Sequence, residues 1–568
     1  MSDLTSRRQA TGPSVKESNG ARSMDRWDNE RRLGERRFAR FTVAVLDPIS
    51  ATGIRPLIED GEFDVLQTAD WSHDRLGDAL AAADAIIVRS RTTVDRALLE
   101  RAPRLRVIGR AGVGVDNIDL AAATERGVAV INAPEGNTVS AAEHTMALIM
   151  AVARKVVTAD RSVRDGEWSR SRLAGTELRG KILGLVGAGR IGGEVARRAR
   201  AFGMKVLVHD PYLTEERARK LGGAAVPLAD LMERADVLTL HVPLTDSTRG
   251  MISTAELRQM KPGALLVNVA RGGVVDEVAL AEALAEGEIA GAALDVFEHE
   301  PLAKDSPLRG APNLVLTPHL GASTTEAQEL IATEIAEGIR RALVDGDLAR
   351  ALNAPQVGSE ALRRLGDLLE LGARLGRLAC AFADGPLTAV EVRYAGSHQD
   401  APRPVSQAVL TGILEDVVGR DRVNFVSAGH LAEERGIRVT RAHSLPRPGY
   451  AEYLEVMVQT ATNASTVAGA VLGPGHPRLV RVDDYSVDLV PQGNVLVLRN
   501  RDVPGVIGRV GTLLGASGVN IAEYHQSRGS AGGEALAVVS MDGAVARSVV
   551  SRLEADPDVM SVRIVALE

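Results

Sequence analysis

Short apolar runs rich in Val, Ile and Leu alternate with Ala-rich segments along most of the chain. The first is "FTVAVLD" (41–47), followed by "AIIVRS" (85–90), "LRVIGRAG" (105–112) and "VAVINAP" (128–134). Runs of this kind lack polar alternation, which predicts parallel strands covered on both faces by the segments between them. A helix is predicted from about Ser140 to Asp165. The alternation then resumes with "KILGLVGAGRIG", "KVLVHDP", "DVLTLHVPL", "ALLVNVARGG", "IAGAALDVF" and "NLVLTPH" (313–319). Two doubly wound units are expected, over 41–140 and 141–320.

The texture changes after "LNAPQ" (352–356). A helical stretch around 359–383 leads into strands with polar alternation, "LTAVEVRYAG" and "AEYLEVMVQTAT", and a Gly/Pro turn, "GPGHP" (473–477). From about Asn494 the pattern reads strand, helix, strand, strand, helix, strand, a small α+β module of ordinary domain size. The predicted class is therefore α/β, with two doubly wound domains followed by two α+β domains. Residues 1–40 are polar, with arginine pairs such as Arg7-Arg8 and Arg31-Arg32, and are expected to be a disordered leader, with the choice between Met1 and Met24 as start left open.

Within "ILGLVGAGRIGGEVARRARAFGMKVLVHD", Gly187, Gly189 and Gly192 spell G-x-G-x-x-G between a predicted strand and helix, and the next strand ends in Asp210. Such glycines allow a tight turn and close backbone approach, so that a pyrophosphate can sit on the N–H groups opening the helix. Asp210 is placed to accept hydrogen bonds from the adenosine ribose and to repel a 2′-phosphate, favouring NAD over NADP. The second unit is thus predicted to be a Rossmann domain. Its chemistry has to come from other residues.

Three polar residues follow strand-like runs beyond this fingerprint. Arg271 precedes Gly272-Gly273, Glu300 sits in "DVFEHEP", and His319 closes "NLVLTPH". Ligands of open α/β sheets bind beyond the carboxyl ends of the strands, so the three are expected to share one crevice. They suit hydride transfer at a 2-hydroxy acid. His319 would take the hydroxyl proton, Glu300 would orient its ring, and Arg271 would hold the substrate carboxylate. His299 is a competing candidate, and His144 is expected to be packed within its helix.

Composition narrows the remaining classes. A net charge of −7 argues against a nucleic-acid binder. Cys380 is the only cysteine, which excludes internal disulfides and Cys-based metal sites and fits a reducing cytoplasm. No apolar run approaches the roughly 18 residues of a membrane span.

"GRAGVGVDNID" (109–119), "GAGRIG", "NVARGGVVDE" (268–277), "GAALDVFEHEP" and "TPHLGAS" together resemble the D-isomer-specific 2-hydroxyacid dehydrogenases, in order from about residue 42 to the C-terminus. The resemblance is nearest to the long members that oxidise D-3-phosphoglycerate in L-serine synthesis. It implies a catalytic set of Arg271, Glu300 and His319. NAD contacts are implied at Gly187, Gly189, Arg190, Ile191, Gly192, Asp210, Val269, Ala270, His319, Gly321 and Ala322, with Asp295 holding the nicotinamide carboxamide. Substrate contacts are implied at Arg89, Ser90, Val113, Gly114 and Asn137, whereas Arg91, usually a small residue in relatives, is expected in solvent. Arg170 in "GEWSRSR" is expected to reach a neighbouring subunit of a homo-oligomer, and no metal is implied.

The resemblance also makes the substrate domain discontinuous, 41–140 plus 325–354, around an NAD domain at 141–324. An intervening regulatory domain would span 355–488, with His476, Arg478 and Arg481 as an anion-binding candidate. Residues 494–568 resemble an ACT domain, a βαββαβ module, in which L-serine contacts carry over to Asn500, Asp502 and Asn520. Two other readings stay open: a glyoxylate or hydroxypyruvate reductase, and an NAD-sensing corepressor on the same fold.

Overall fold

Five strands, in spatial order Phe63–Gln67, Phe41–Val45, Ala85–Val88, Val107–Arg110 and Ala129–Asn132, form one wholly parallel sheet. This is a computed structural model, and it describes residues 40–567 apart from 69, 70, 72, 169, 420, 421 and 531. The expected leader, but for Arg40, lies outside the described residues. A second parallel sheet has seven strands, Leu314–Leu316, Gly291–Leu294, Leu265–Asn268, Val237–Leu240, Ile182–Val186, Lys205–His209 and Gly223–Ala225. Central strands such as Ala85–Val88 and Leu265–Asn268 are buried at every position, as uninterrupted apolar runs require.

In the second sheet the chain order reverses between Ile182–Val186 and Val237–Leu240. That switch point opens a crevice at the carboxyl ends of the strands. Helix Thr325–Asp345 returns to the first sheet, where Ile331, Ile335 and Ile339 share a core with Val43, Val107 and Ile131. Gly109 marks the closest approach, because a Cβ there would stand 2.6 Å from Ile335 Cγ2.

The single helix expected from Ser140 to Asp165 is instead two, Thr138–Ala153 and Val156–Arg164. Lys155 between them is left-handed, with φ +50°, and the Ala153 carbonyl, which would have continued the ladder, accepts the Thr176 N–H.

A six-stranded mixed sheet follows, in spatial order Arg438–Ser444, Ala389–Ala395, Glu452–Gln459, Ala464–Val471, Pro477–Val482 and Tyr485–Leu489. Helix Gly366–Ala381 packs on it with Pro402–Val418, a helix the strand pattern did not predict. The C-terminal segment is the expected βαββαβ, a four-stranded antiparallel sheet with helices Val506–Ala516 and Arg547–Glu554. One face of this sheet packs under its own helices through Leu496 and Leu498. The other, through Val495, Val497 and Val538, joins the core of the preceding sheet. Arg377, buried and paired with Glu415, donates to the Leu567 carbonyl at 3.1 Å and clamps the two modules together.

The anion site expected at His476, Arg478 and Arg481 is not assembled. His476 Nδ1 lies 2.7 Å from the Pro474 carbonyl, Arg481 pairs with Glu455 at 2.9 Å, and Arg478 stands between Asp488 and Glu523.

Candidate active site

The glycine turn lies at the switch point. Gly187 has φ +90°, and a Cβ on it would stand 2.6 Å from the His241 carbonyl oxygen. A Cβ on Gly192 would overlap the Gly187 carbonyl oxygen, whereas one on Gly189 would meet nothing within 4 Å. Gly189 is thus the open side of the turn. It caps helix Arg190–Ala201 without a side-chain acceptor, which leaves the first N–H groups facing the cleft. Asp210 Oδ2 accepts the Ala188 N–H at 2.9 Å and Oδ1 accepts the Tyr212 N–H at 2.9 Å, so its charge is fixed beside the turn. This cradle fits a dinucleotide. Gly192→Ala is expected to weaken NADH binding at least tenfold, about 1.4 kcal/mol, because the atom it meets is backbone and cannot swing away; a fluorescence titration giving wild-type affinity would contradict this.

A cleft of about 1200 Å³ runs between the two parallel-sheet units. Arg271, Glu300 and His319 all line it. His319 Nδ1 lies 2.8 Å from Glu300 Oε2, so the ionised carboxylate accepts a hydrogen bond from Nδ1–H and leaves Nε2 as the proton acceptor. Glu300 also accepts the Phe297 N–H at 3.1 Å. Burial opposes its charge, but the hydrogen bond and charge of His319 and the Phe297 N–H outweigh it and hold the carboxyl below its usual range. His299 is exposed. His241 lines the cleft as well, but burial holds its imidazole down to about 3, so it is uncharged and a weak base at neutral pH.

His319 itself is left-handed, φ +56°, an uncommon conformation for a non-glycine residue and one the surroundings must hold. Asp295 supplies much of that hold. Its carbonyl accepts the His319 N–H at 2.8 Å, Oδ1 accepts the Leu320 N–H at 2.8 Å, and Oδ2 accepts the Gly321 N–H at 2.9 Å. Asp295, expected at the nicotinamide carboxamide, is fully buried, with its carboxylate turned to these N–H groups. Gly187 and Gly192 are buried and shape the turn, and Asp210 stays part-exposed at the end of its strand. Gly189, Arg190, Ile191, Val269, Ala270, Gly321 and Ala322 line the cleft.

Across the cleft, Arg89, Ser90, Val113, Gly114 and Asn137 line the opposite side. Asn137 begins helix Thr138–Ala153 without capping it, and its Oδ1 is buried with no protein partner. Arg91, expected in solvent, also lines the cleft. Sequence reasoning left Arg110 unassigned because it sits within a strand run. It lines the cleft, and burial, with the nearby charge of Arg271, lowers its guanidinium to about 10. Arg271 Nε donates to Asp116 Oδ2 at 3.1 Å and Nη1 to the Ala270 carbonyl at 2.6 Å. Its Nη2 lies against Gly114, where a Cβ would overlap it.

Residues proposed for other roles are less assembled. Arg170 is exposed beside the short turn Ser171–Leu173. Asn500 is fully buried, with its Oδ1 unpartnered; Asp502 accepts the Gly532 N–H at 3.3 Å, and Asn520 donates to Asp542 at 2.7 Å. Among the described residues no hydrogen bond links these three. No cluster suited to a metal ion occurs among the described residues, and no helix there is long and apolar enough to cross a membrane.

Known proteins match this arrangement closely. Residues 146–321 match the D-isomer specific 2-hydroxyacid dehydrogenase NAD binding domain, 364–483 the D-3-phosphoglycerate dehydrogenase intervening domain, and 494–558 the ACT domain. A D-3-phosphoglycerate dehydrogenase of Bacillus subtilis is 40% identical over 530 residues, 93% of this chain and 100% of the relative. The chain belongs to the D-3-phosphoglycerate dehydrogenase family. A member from Methanocaldococcus jannaschii is 40% identical over 528 residues, 92% of this chain and 99% of its own. Among solved structures, the TT0316 protein of Thermus thermophilus is 38% identical with a TM-score of 0.50, covering 55% of this chain and 100% of that one. With the family shown, the chain is an NAD-dependent D-2-hydroxyacid dehydrogenase, and NAD is its cofactor.

Proposed function

We propose that this protein oxidises the C2 hydroxyl of D-3-phosphoglycerate to 3-phosphohydroxypyruvate, the first step of L-serine synthesis. One observation carries the reading: Arg89, Arg110 and Arg271 meet the His319–Glu300 pair in a single cleft. A 2-hydroxy acid with one carboxylate needs one guanidinium fork. Arginines beyond that one match a substrate with a second anionic group, which in a phosphoglycerate is the phosphate. Bound NAD supplies the hydride acceptor. His319 Nε2 takes the hydroxyl proton while Glu300 holds Nδ1–H and stabilises the imidazolium that forms. Arg271 holds the carboxylate and polarises the C2 oxygen through Nη2, with Asp116 fixing the guanidinium through Nε.

The two-part substrate domain, 41–140 with 325–354, is supported by the shared core of helix Thr325–Asp345 and the first sheet. L-serine would act at Asn500, Asp502 and Asn520; the matching ACT family and the unpartnered Asn500 Oδ1 support that site. Exposed Val156, Val157, Val163 and Trp168 on one segment favour self-association, and the resemblance of the adjoining "GEWSRSR" supports Arg170 as the residue that would reach a partner. The single cysteine is consistent with a cytoplasmic protein.

The test is NADH formation with D-3-phosphoglycerate against D-lactate, D-glycerate and D-2-hydroxyglutarate, with and without L-serine. The phosphorylated substrate is expected to give a kcat/KM at least a hundredfold above D-glycerate, since each lost charged contact costs about 1.5–3 kcal/mol. Equal rates for the two would sink the substrate assignment.

A further inference from the structure

The mechanism so far leaves one titratable side chain next to its machinery unused. His144 lies mid-way along helix Thr138–Ala153. Its side chain is 19% exposed, and its Nε2 stands 3.1 Å from Asp295 Oδ1 and 3.3 Å from Thr317 Oγ1. Thr317 Oγ1 in turn donates to the same Asp295 oxygen at 2.6 Å. A carboxylate with 0% side-chain exposure is expensive to keep charged unless donors surround it. Asp295 meets that condition with two side-chain donors, Thr317 and His144, and with the backbone N–H groups of Leu320 and Gly321. His144 is the one of the four that comes from outside strand Leu314–Leu316 and the loop after it.

The backbone of that loop gives the contact its consequence. His319, held in the left-handed region, is followed directly by Leu320 and Gly321, whose N–H groups the Asp295 carboxylate collects. Removing a donor from a fully buried carboxylate weakens its charge and its grip on those N–H groups. A shift of the loop by a fraction of an ångström would move His319 Nε2 off the substrate hydroxyl, and such misplacement is costly to chemistry while leaving binding surfaces in place.

We infer that His144 is a positioning residue for the acid–base histidine, acting through Asp295 and Thr317 to hold the loop that carries His319 in its productive, left-handed form. The inference rests on the assignment of His319 above. It also explains why a histidine occupies an otherwise Ala- and Met-rich helix: an imidazole can offer Asp295 an N–H, and an aliphatic side chain cannot.

The test compares His144→Ala and His144→Gln with wild type. Each is measured for kcat and KM on whichever 2-hydroxy acid the wild type oxidises, for NADH affinity, for the primary deuterium isotope effect on kcat, and for amide exchange over residues 314–324 in protein free of cofactor. The Ala variant is expected to lose about ten- to a hundredfold in kcat. KM and NADH affinity should stay within a few-fold, the isotope effect should rise toward its intrinsic limit, and exchange at Leu320 and Gly321 should quicken. The Gln variant, whose amide can donate to Asp295, should recover most of the rate. An unchanged kcat in His144→Ala overturns the inference. So does a loss that merely tracks the fraction of protein able to bind NADH, with isotope effect and exchange unmoved. Failure of phosphoglycerate as substrate would sink the substrate assignment and leave this comparison intact.

Discussion

Replacing His319 with Ala is expected to cut turnover by about 10²–10⁴-fold, the range of general acid–base catalysis, while NADH affinity stays within a few-fold. The side chain has one nitrogen committed to Glu300 at 2.8 Å and the other free toward the cleft. The other candidates there are poor bases: burial lowers the His241 imidazole to about 3, and Glu300 is held below the usual carboxylate range with its oxygen engaged by His319 Nδ1. Because residue 319 is left-handed, Ala also brings backbone strain, so the decisive variant is His319→Asn. Asparagine tolerates that conformation better than most residues yet accepts no proton at neutral pH. Steady-state turnover with parallel NADH titration checks both. A largely active Asn variant would mean that His319 shapes the loop and moves no proton.

Arg271→Lys should be nearly as damaging, about 10²–10³-fold in kcat/KM, comparable with removing a preorganised donor from an anion-stabilising site. The charge survives this change but the geometry does not. Arginine meets Asp116, the Ala270 carbonyl and the cleft with three different nitrogens, and a lysine has one. Asp116→Asn keeps an acceptor for Nε and should cost only about tenfold or less. In the double variant the Asp116 effect should vanish, since the partner it fixes is gone. Kinetics of the four proteins on one substrate measures this. Arg271→Lys within threefold of wild type would show that charge alone suffices and that the fork is not used.

How far the sequence reveals this depends on how far apart the cooperating residues stand. The glycine turn and its acidic strand end are contiguous, and backbone sterics fix them locally, so their reading carried through to geometry. Arg271, Glu300 and His319 are each announced by a strand end, and the parallel-sheet rule was enough to place them in one crevice. By contrast, the contacts of His144 with Asp295 and of Arg271 with Asp116 span 151 and 155 positions. Nothing in either local pattern marks them: His144 looks like part of an apolar helix, and Asp116 like part of a turn. Arg110 was hidden for a related reason, since a strand reading treats its residues as sheet and does not ask where the last one points. The helix break at Lys155 was missed because it is imposed by a segment about twenty residues further along, at Thr176, and not by a Gly or Pro at the break. Asp295, read from the sequence as a cofactor contact, also holds the loop that carries His319, a role its local pattern does not mark.

The central claim is that this cleft removes the C2 hydrogen of D-3-phosphoglycerate as hydride while His319 removes the hydroxyl proton. The most direct measurement supplies D-3-phosphoglycerate deuterated at C2 together with NAD and reads the mass of the NADH formed. One deuterium per NADH is expected, with no exchange of the label into water and a slower rate than with the protonated substrate. NADH without label, label lost to solvent, or no NADH from this substrate at all would contradict the claim.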